Sequence, residues 1–188
     1  MRHVISALVM NEPGVLAGVA NMFSARGFNI DSLVVGRTED PGLSRMTIVV
    51  IADENTLEQV RRQLAKLVPV VSVNDFKQAA YIERDLALIT VSVTPENRNN
   101  VIETVKLFRG KVVDVSRESV VVELAGTEEK IEAFIDLMND YGIKELARTG
   151  VIAMARGTQA AKDEAAAPTS SKRTRSLDAP AAAALPPS

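Results

Sequence analysis

Apolar residues from Met1 to Arg156 follow two schedules, short β-branched runs and stretches at helical spacing, which alternate in a fixed order. Val4 to Met10, interrupted only by Ser6, reads as a strand. Val15, Leu16, Val19, Met22 and Phe23 then recur on one helical face, and Gly27 stops the helix. Ile30 to Gly36 and Met46 to Ile51 follow as strands, separated by a hairpin loop from Thr38 to Leu43 whose Asp40, Pro41 and Gly42 are turn residues. Asp53 stands where it can cap a second helix carrying Leu57, Val60, Leu64 and Leu67, and Pro69 introduces a last strand, Val70 to Val73. The order is βαββαβ.

The same order then repeats. Leu86 to Val93 places Ala87, Ile89, Val91 and Val93 on one strand face, with Thr94 as the expected N-cap and Pro95 as the first residue of a helix showing Val101, Val105 and Phe108. Gly110 is expected to end that helix as Gly27 ends the first, each glycine following an arginine, Arg109 and Arg26. Lys111 to Val115 and Val120 to Leu124 form a hairpin around Arg117 and Glu118. Ile131, Phe134, Ile135 and Met138 mark a fourth helix, and Ile143 to Met154 contains the final strand. The expected fold is α+β, two tandem ferredoxin-like βαββαβ domains joined near Lys77 to Arg84.

Both helices of such a unit cover one sheet face, so the other face needs an explanation. In the third strand Met46, Ile48 and Val50 point one way while Val49 and Ile51 point the other, so the uncovered side is apolar too and wants a partner: the second domain, another copy of the chain or a different protein. A homodimer is expected.

Composition narrows the function. The chain has 188 residues and 46% hydrophobic content, enough to fill real cores. From about Gly157 onward Ala, Pro, Ser, Thr and charged residues replace the branched aliphatics, so 157–188 is expected to be a disordered Ala/Pro-rich tail. A net charge of -2 gives no overall positive field for nucleic acid or anionic lipid. With no cysteine and His3 as the single histidine, disulfides, thiolate nucleophiles, Fe-S clusters and multi-histidine metal sites are excluded. No secretory leader is apparent, and apolar runs such as Ile48 to Ala52 are far shorter than the roughly 20 residues of a membrane span. A cytoplasmic protein is expected.

The informative short segment is Asn11-Glu12-Pro13-Gly14, between the first strand and the first helix. Pro13 and Gly14 suit the centre of a type II turn from Glu12 to Val15. Neither a carboxylate nor a strong cap stands at the helix start. The amides from Gly14 through Ala17 are therefore orphan donors at the positive end of a helix dipole, which suits a small carboxylate. Asn29, after Gly27 and Phe28, offers an amide oxygen that could accept from an ammonium group, as could that of Asn11, and together they suit a zwitterion. Spacing alone leaves a second reading open, in which both asparagines satisfy local backbone groups in turns.

The stretch from Ile5 to Phe76 resembles an ACT domain, the amino-acid-sensing βαββαβ module. Asn11-Glu12-Pro13-Gly14-Val15-Leu16, Arg26 to Leu33, Asp40 to Ile48 and Gln63 to Val68 are similar to runs in the small regulatory subunits of acetohydroxyacid synthase (acetolactate synthase). Glu83 to Leu88, Phe108 to Val115 and Arg148-Thr149-Gly150 resemble the second domain of that family, so the resemblance divides the chain into an ACT domain at 1–77, a C-terminal domain at 78–156 and the tail. It implies a non-catalytic subunit that binds and activates a catalytic subunit carrying thiamine diphosphate, Mg and FAD, has no cofactor or metal of its own, and confers feedback inhibition by valine and related branched-chain amino acids. It further implies a valine site between two ACT domains, with Asn11, Pro13, Gly14, Val15, Leu16 and Ala17 from one chain and Asn29 and Ile30 from its neighbour. The tail departs from the compact family pattern.

Other classes fare worse. No P-loop, GxGxxG or HExxH motif is present, and Glu128 and Glu129 are explained by a helix start. Gly14 and Gly18 form a GxxxG pattern that in a soluble helix means close packing. RNA-recognition modules share the βαββαβ order but stack bases on strand aromatics, which Arg45 to Ile51 and Val120 to Leu124 lack. An ACT-type sensor regulating a different enzyme or a transporter is the remaining alternative.

Overall fold

A computed structural model describes residues 1–77 and 80–157; the segment assigned from sequence to a tail lies, from 158 onward, outside the described residues. The first sheet has the order β2-β3-β1-β4, built from β1 (Arg2–Met10), β2 (Ser32–Arg37), β3 (Leu43–Ile51) and β4 (Val70–Asp75). Two helices, α1 (Val15–Ala25) and α2 (Glu54–Leu64), cover one face. Ile5, Ala7 and Val9 from β1 and Met46, Ile48 and Val50 from β3 pack there against Val19, Phe23, Val60 and Leu64, all nearly inaccessible to solvent. Asp53 caps α2 as its position predicts, accepting from the Thr56 amide at 2.7 Å, and that bond holds its carboxyl below the ordinary range. Leu67 lies beyond the end of α2 and packs against the core from the following turn.

The second sheet repeats the plan. It joins β5 (Tyr81–Ser92), β6 (Lys111–Val115), β7 (Ser119–Gly126) and β8 (Ile143–Arg148) in the order β6-β7-β5-β8, with α3 (Arg98–Leu107) and α4 (Glu128–Asn139) on one face. Ala87, Ile89 and Val91 meet Val101, Val105, Ile131 and Phe134 in its core.

Three details of this second unit differ from expectation. The regular part of α3 begins at Arg98, a turn later than Thr94-Pro95 suggests, although Thr94 does cap as expected: its amide donates to Asn97 Oδ1 at 2.7 Å, its Oγ1 accepts from the Asn97 amide at 3.3 Å, and its carbonyl accepts from the Arg98 amide at 3.1 Å. The left-handed residue after α3 is Arg109 (φ 54), whereas after α1 it is Gly27 (φ 66). Gly110 is required for space, since a Cβ there would lie 3.2 Å from both the Glu123 carbonyl and Val105 Cγ1. Finally, β8 is followed by β9 (Ile152–Ala155) on the same side of β5, with Ala87 opposite Arg148 and Arg84 opposite Ile152. Thr149, Gly150 and Val151 thus face only Asp85 and Leu86, which makes one long strand with a bulge, Gly150 taking the left-handed conformation (φ 84).

The bulge turns the β5–β9 ribbon onto the open face of the first sheet. Val151 and Ala153 pack with Val4, Val49 and Phe76, and Phe76 stacks on Tyr81 with ring centroids 4.8 Å apart. The apolar side of Val49 is therefore covered within the chain, while Ile51 remains 66% exposed.

Candidate functional site

β1 ends at Met10, and the chain reverses through Asn11 to Gly14 into α1. Gly14 has φ 86 and ψ -13, the third position of a type II turn, which only glycine adopts without strain. The Val15 amide reaches the Glu12 carbonyl at a long 3.4 Å, and the helical ladder starts with Gly18 donating to Gly14 at 2.9 Å. Among the described residues the amides of Gly14, Leu16 and Ala17 have no acceptor, no side chain caps the helix, and its first turn holds no acidic residue. Gly14, Leu16 and Ala17 are exposed, and nothing lies within 4 Å of the place a Gly14 Cβ would take. Val15 is buried and anchors the helix in the core. Pro13 is exposed and shapes the turn. The result is a small group of solvent-facing N–H donors with a partial positive charge and no competing anion.

Asn11 closes one wall. Its Nδ2 donates to the Pro41 carbonyl at 2.9 Å, its Oδ1 accepts from Ser44 Oγ at 3.2 Å, and its own amide donates to the Gly42 carbonyl at 2.8 Å. These bonds tie the β2–β3 hairpin loop to the α1 start and leave one lone pair on Oδ1. Pro41, Gly42 and Ser44 therefore support the site, a role that spacing along the chain does not reveal because they come from the next hairpin.

Asn29 and Ile30 are elsewhere. β1 and β2 both run antiparallel to β3, with Ser32 level with Val4 across Val49 and Arg37 level with Val9 across Ser44. Asn29 and Ile30 thus lie at the end of the sheet where β1 begins, and Asn11 to Ala17 at the end where it finishes. Six residues of strand separate the two levels, roughly 20 Å. Asn29 is exposed and its side chain makes no hydrogen bond among the described residues, while Ile30 packs partly against the first core. Within one chain the two asparagines do not meet.

A second copy can bring them together. β2 is the edge of the first sheet, with Val35, Gly36 and Arg37 exposed. Pairing β2 with its copy about a two-fold axis perpendicular to the sheet is antiparallel, and sets the Asn29 end of one chain beside the Arg37 end of the other. That is the end of the sheet bearing Asn11 and Gly14.

At the other end of the first sheet lies a charged junction with the second. Arg148 donates to the buried Asp85 from Nε at 2.9 Å and from Nη2 at 2.5 Å, and also to Glu132. Burial pulls the Arg148 guanidinium down, but Asp85 and Glu132 hold it above its ordinary value, so it is a permanent cation. Arg2 donates to Glu83 at 3.1 Å and lies 2.6 Å from Glu128 Oε2 without hydrogen-bond alignment. Among the described residues no His, Cys, Asp and Glu side chains group to hold a metal ion, and no helix is long and apolar enough to cross a membrane.

Comparison with known proteins agrees with this architecture. Residues 5–72 match the family described as the AHAS small subunit-like ACT domain, and residues 84–157 match the small subunit of acetolactate synthase. A probable acetolactate synthase small subunit from Archaeoglobus fulgidus is 53% identical over 159 residues, covering 85% of this chain and 99% of that protein. The acetolactate synthase small subunit of Bacillus subtilis is 46% identical over 85% of this chain and 93% of its own length. A crystal structure of the acetolactate synthase small subunit from Thermotoga maritima superposes with a TM-score of 0.77 at 45% identity, covering 84% of this chain and 98% of that one. These matches span both sheets and the ribbon between them, and the chain belongs to the acetolactate synthase small-subunit family, with an ACT-type regulatory domain at its N-terminus.

Proposed function

We propose that the chain activates the catalytic subunit of acetolactate synthase and makes it sensitive to valine and related branched-chain amino acids. The observation that carries this reading is the set of uncapped amides at Gly14, Leu16 and Ala17, with an open space in front of them. Those amides take the carboxylate of the amino acid. Asn11 Oδ1 and, from the neighbouring chain, Asn29 take its ammonium group, with Ile30 against its branched side chain. A homodimer through β2 completes the site, because one chain keeps the two halves at opposite ends of its sheet.

The chemistry belongs to the partner. Thiamine diphosphate, Mg and FAD reside on the catalytic subunit, and the pair works in the cytoplasm. Inhibition follows by linkage: valine shifts the complex only as far as its affinities for the active and inhibited arrangements differ, typically about 1 to 3 kcal/mol. Mixing the purified chain with the catalytic subunit and measuring turnover with and without valine tests the proposal. Turnover is expected to rise on mixing and fall when valine is added; a rate unaffected by either contradicts it.

A further inference from the structure

The β5–β9 ribbon meets the first sheet at the first residues of its edge strand. Gly150 is packed so closely there that a Cβ would collide with Ser32 Oγ and lie 3.0 Å from Val34 Cγ2. The Val151 amide donates to that same Ser32 Oγ at 3.3 Å. On its other side the bulge is held by the second domain: Arg148 is bound by Asp85, and Thr149 Oγ1 donates to Asp85 Oδ1 at 3.3 Å. A buried carboxylate therefore fixes the bulge, and the bulge bears on Ser32.

Ser32 is separated from Ile30 by Asp31 alone, and the Asp31 amide is bonded to the Val49 carbonyl at 2.9 Å. A displacement at Ile30 thus reaches Ser32 through one restrained residue, and from Ser32 it meets Gly150 with no side chain to absorb it. Beside the contact is a cavity of about 320 Å³ lined by Asp31, Ser32, Asp85, Glu132, Arg148 and Gly150, which gives these groups room to shift. Elsewhere the two sheets meet through apolar packing around Val49 and Phe76 and through Arg2 with Glu83 and Glu128; of these Val49, bonded to the Asp31 amide and paired with Ser32, belongs to the same route from Ile30.

We infer that Ser32 and Gly150 are positioning residues through which an amino acid held at Asn29 and Ile30 changes the placement of the second domain. The inference rests on the effector site proposed above and adds the route by which that site reaches the rest of the molecule. A ligand acts at a distance only by favouring one of two arrangements, and this contact differs between any two placements of the ribbon on β2.

The test uses the full chain assembled with the catalytic subunit, together with Ser32→Ala, which removes the acceptor of the Val151 amide, and Gly150→Ala, which inserts the colliding carbon. Both variants are expected to bind valine by calorimetry within about threefold of wild type and to activate fully without it, while activity remaining at saturating valine rises about threefold or more. Hydrogen exchange on the wild-type chain is expected to slow on valine addition at Tyr81–Arg84 and Ile152–Ala155, neither of which touches the ligand. Should Gly150→Ala fail to fold, Ser32→Ala and the wild-type exchange decide the matter. Unaltered inhibition in folded Ser32→Ala, or exchange changes confined to 11–37, overturns the coupling route while leaving the effector site standing. A wild-type chain that binds no valine removes both.

Discussion

The two helices that follow the leading strands, α1 and α3, hold equivalent places in the two βαββαβ units and are entered through different turns. At α3, Thr94 and Asn97 satisfy each other's backbone amides and the Arg98 amide donates to the Thr94 carbonyl at 3.1 Å, so that among the described residues only Asn99 and Asn100 in the first turn lack an acceptor. At α1, a left-handed glycine replaces the cap and the first amides face solvent without partners. The remaining two helices carry acids in their first turns, Glu54 in α2 and Glu128 and Glu129 in α4. Uncapped donors weaken a helix. α1 tolerates this because Val15, Val19, Met22 and Phe23 bury its inner face, so its stability comes from packing and its first turn is left available to a ligand.

The sharpest way to break this contrast is to put a carboxylate at the open start. Gly14→Asp places a side chain at φ 86 and an anion beside the free amides, and is expected to weaken valine binding by about thirtyfold or more in calorimetry. The helix exits offer a second contrast, read in denaturant unfolding. Gly110→Ala is expected to destabilise by about 1–3 kcal/mol because its surroundings are full, whereas Gly27→Ala, with open space but φ 66, is expected to lose about 1 kcal/mol through backbone strain alone. Thr94→Ala removes the acceptor of the Asn97 amide before α3 and is expected to lose about 0.5–1.5 kcal/mol of stability with valine affinity unchanged. The smallest effect is at Asp53. Its carboxyl is held low by the Thr56 amide, so its contribution is present above the ordinary carboxylate pKa and lost as pH falls through the lower folded-state value. The difference in melting temperature between Asp53→Ala and the parent chain is therefore expected to be constant near neutrality and to close below about pH 4.

Much of this was legible because the relevant forces act over a few residues. Alternating apolar runs place the strands, Asp53 announces its helix, and Pro13-Gly14 specifies the turn that bares the α1 amides. What escaped depends on competition or on distant segments. Thr94 caps as its position suggests and its carbonyl accepts the first bond, from Arg98, but the amides of Asn99 and Asn100 find no acceptor among the described residues, so the regular ladder resumes only with Val101 on Asn97. Gly110 follows an arginine as Gly27 does, yet its reason is the crowding by Glu123 and Val105, which only the folded hairpin supplies. Asn11 is spent partly on Pro41 and Ser44, so the turn and ligand readings of that residue coexist. The covering of Val49 by Val151 and Ala153 depends on a bulge whose function no local pattern states.

The central claim is that the free amides at the start of α1 hold an amino-acid carboxylate. Titrating the ¹⁵N-labelled chain with valine and following backbone amide resonances tests it most directly. Gly14, Leu16 and Ala17 are expected to move together and saturate, while Arg98 and Asn99 at the start of α3 stay in place. Resonances at Gly14 to Ala17 that remain fixed while others respond, or no response anywhere, would contradict the account.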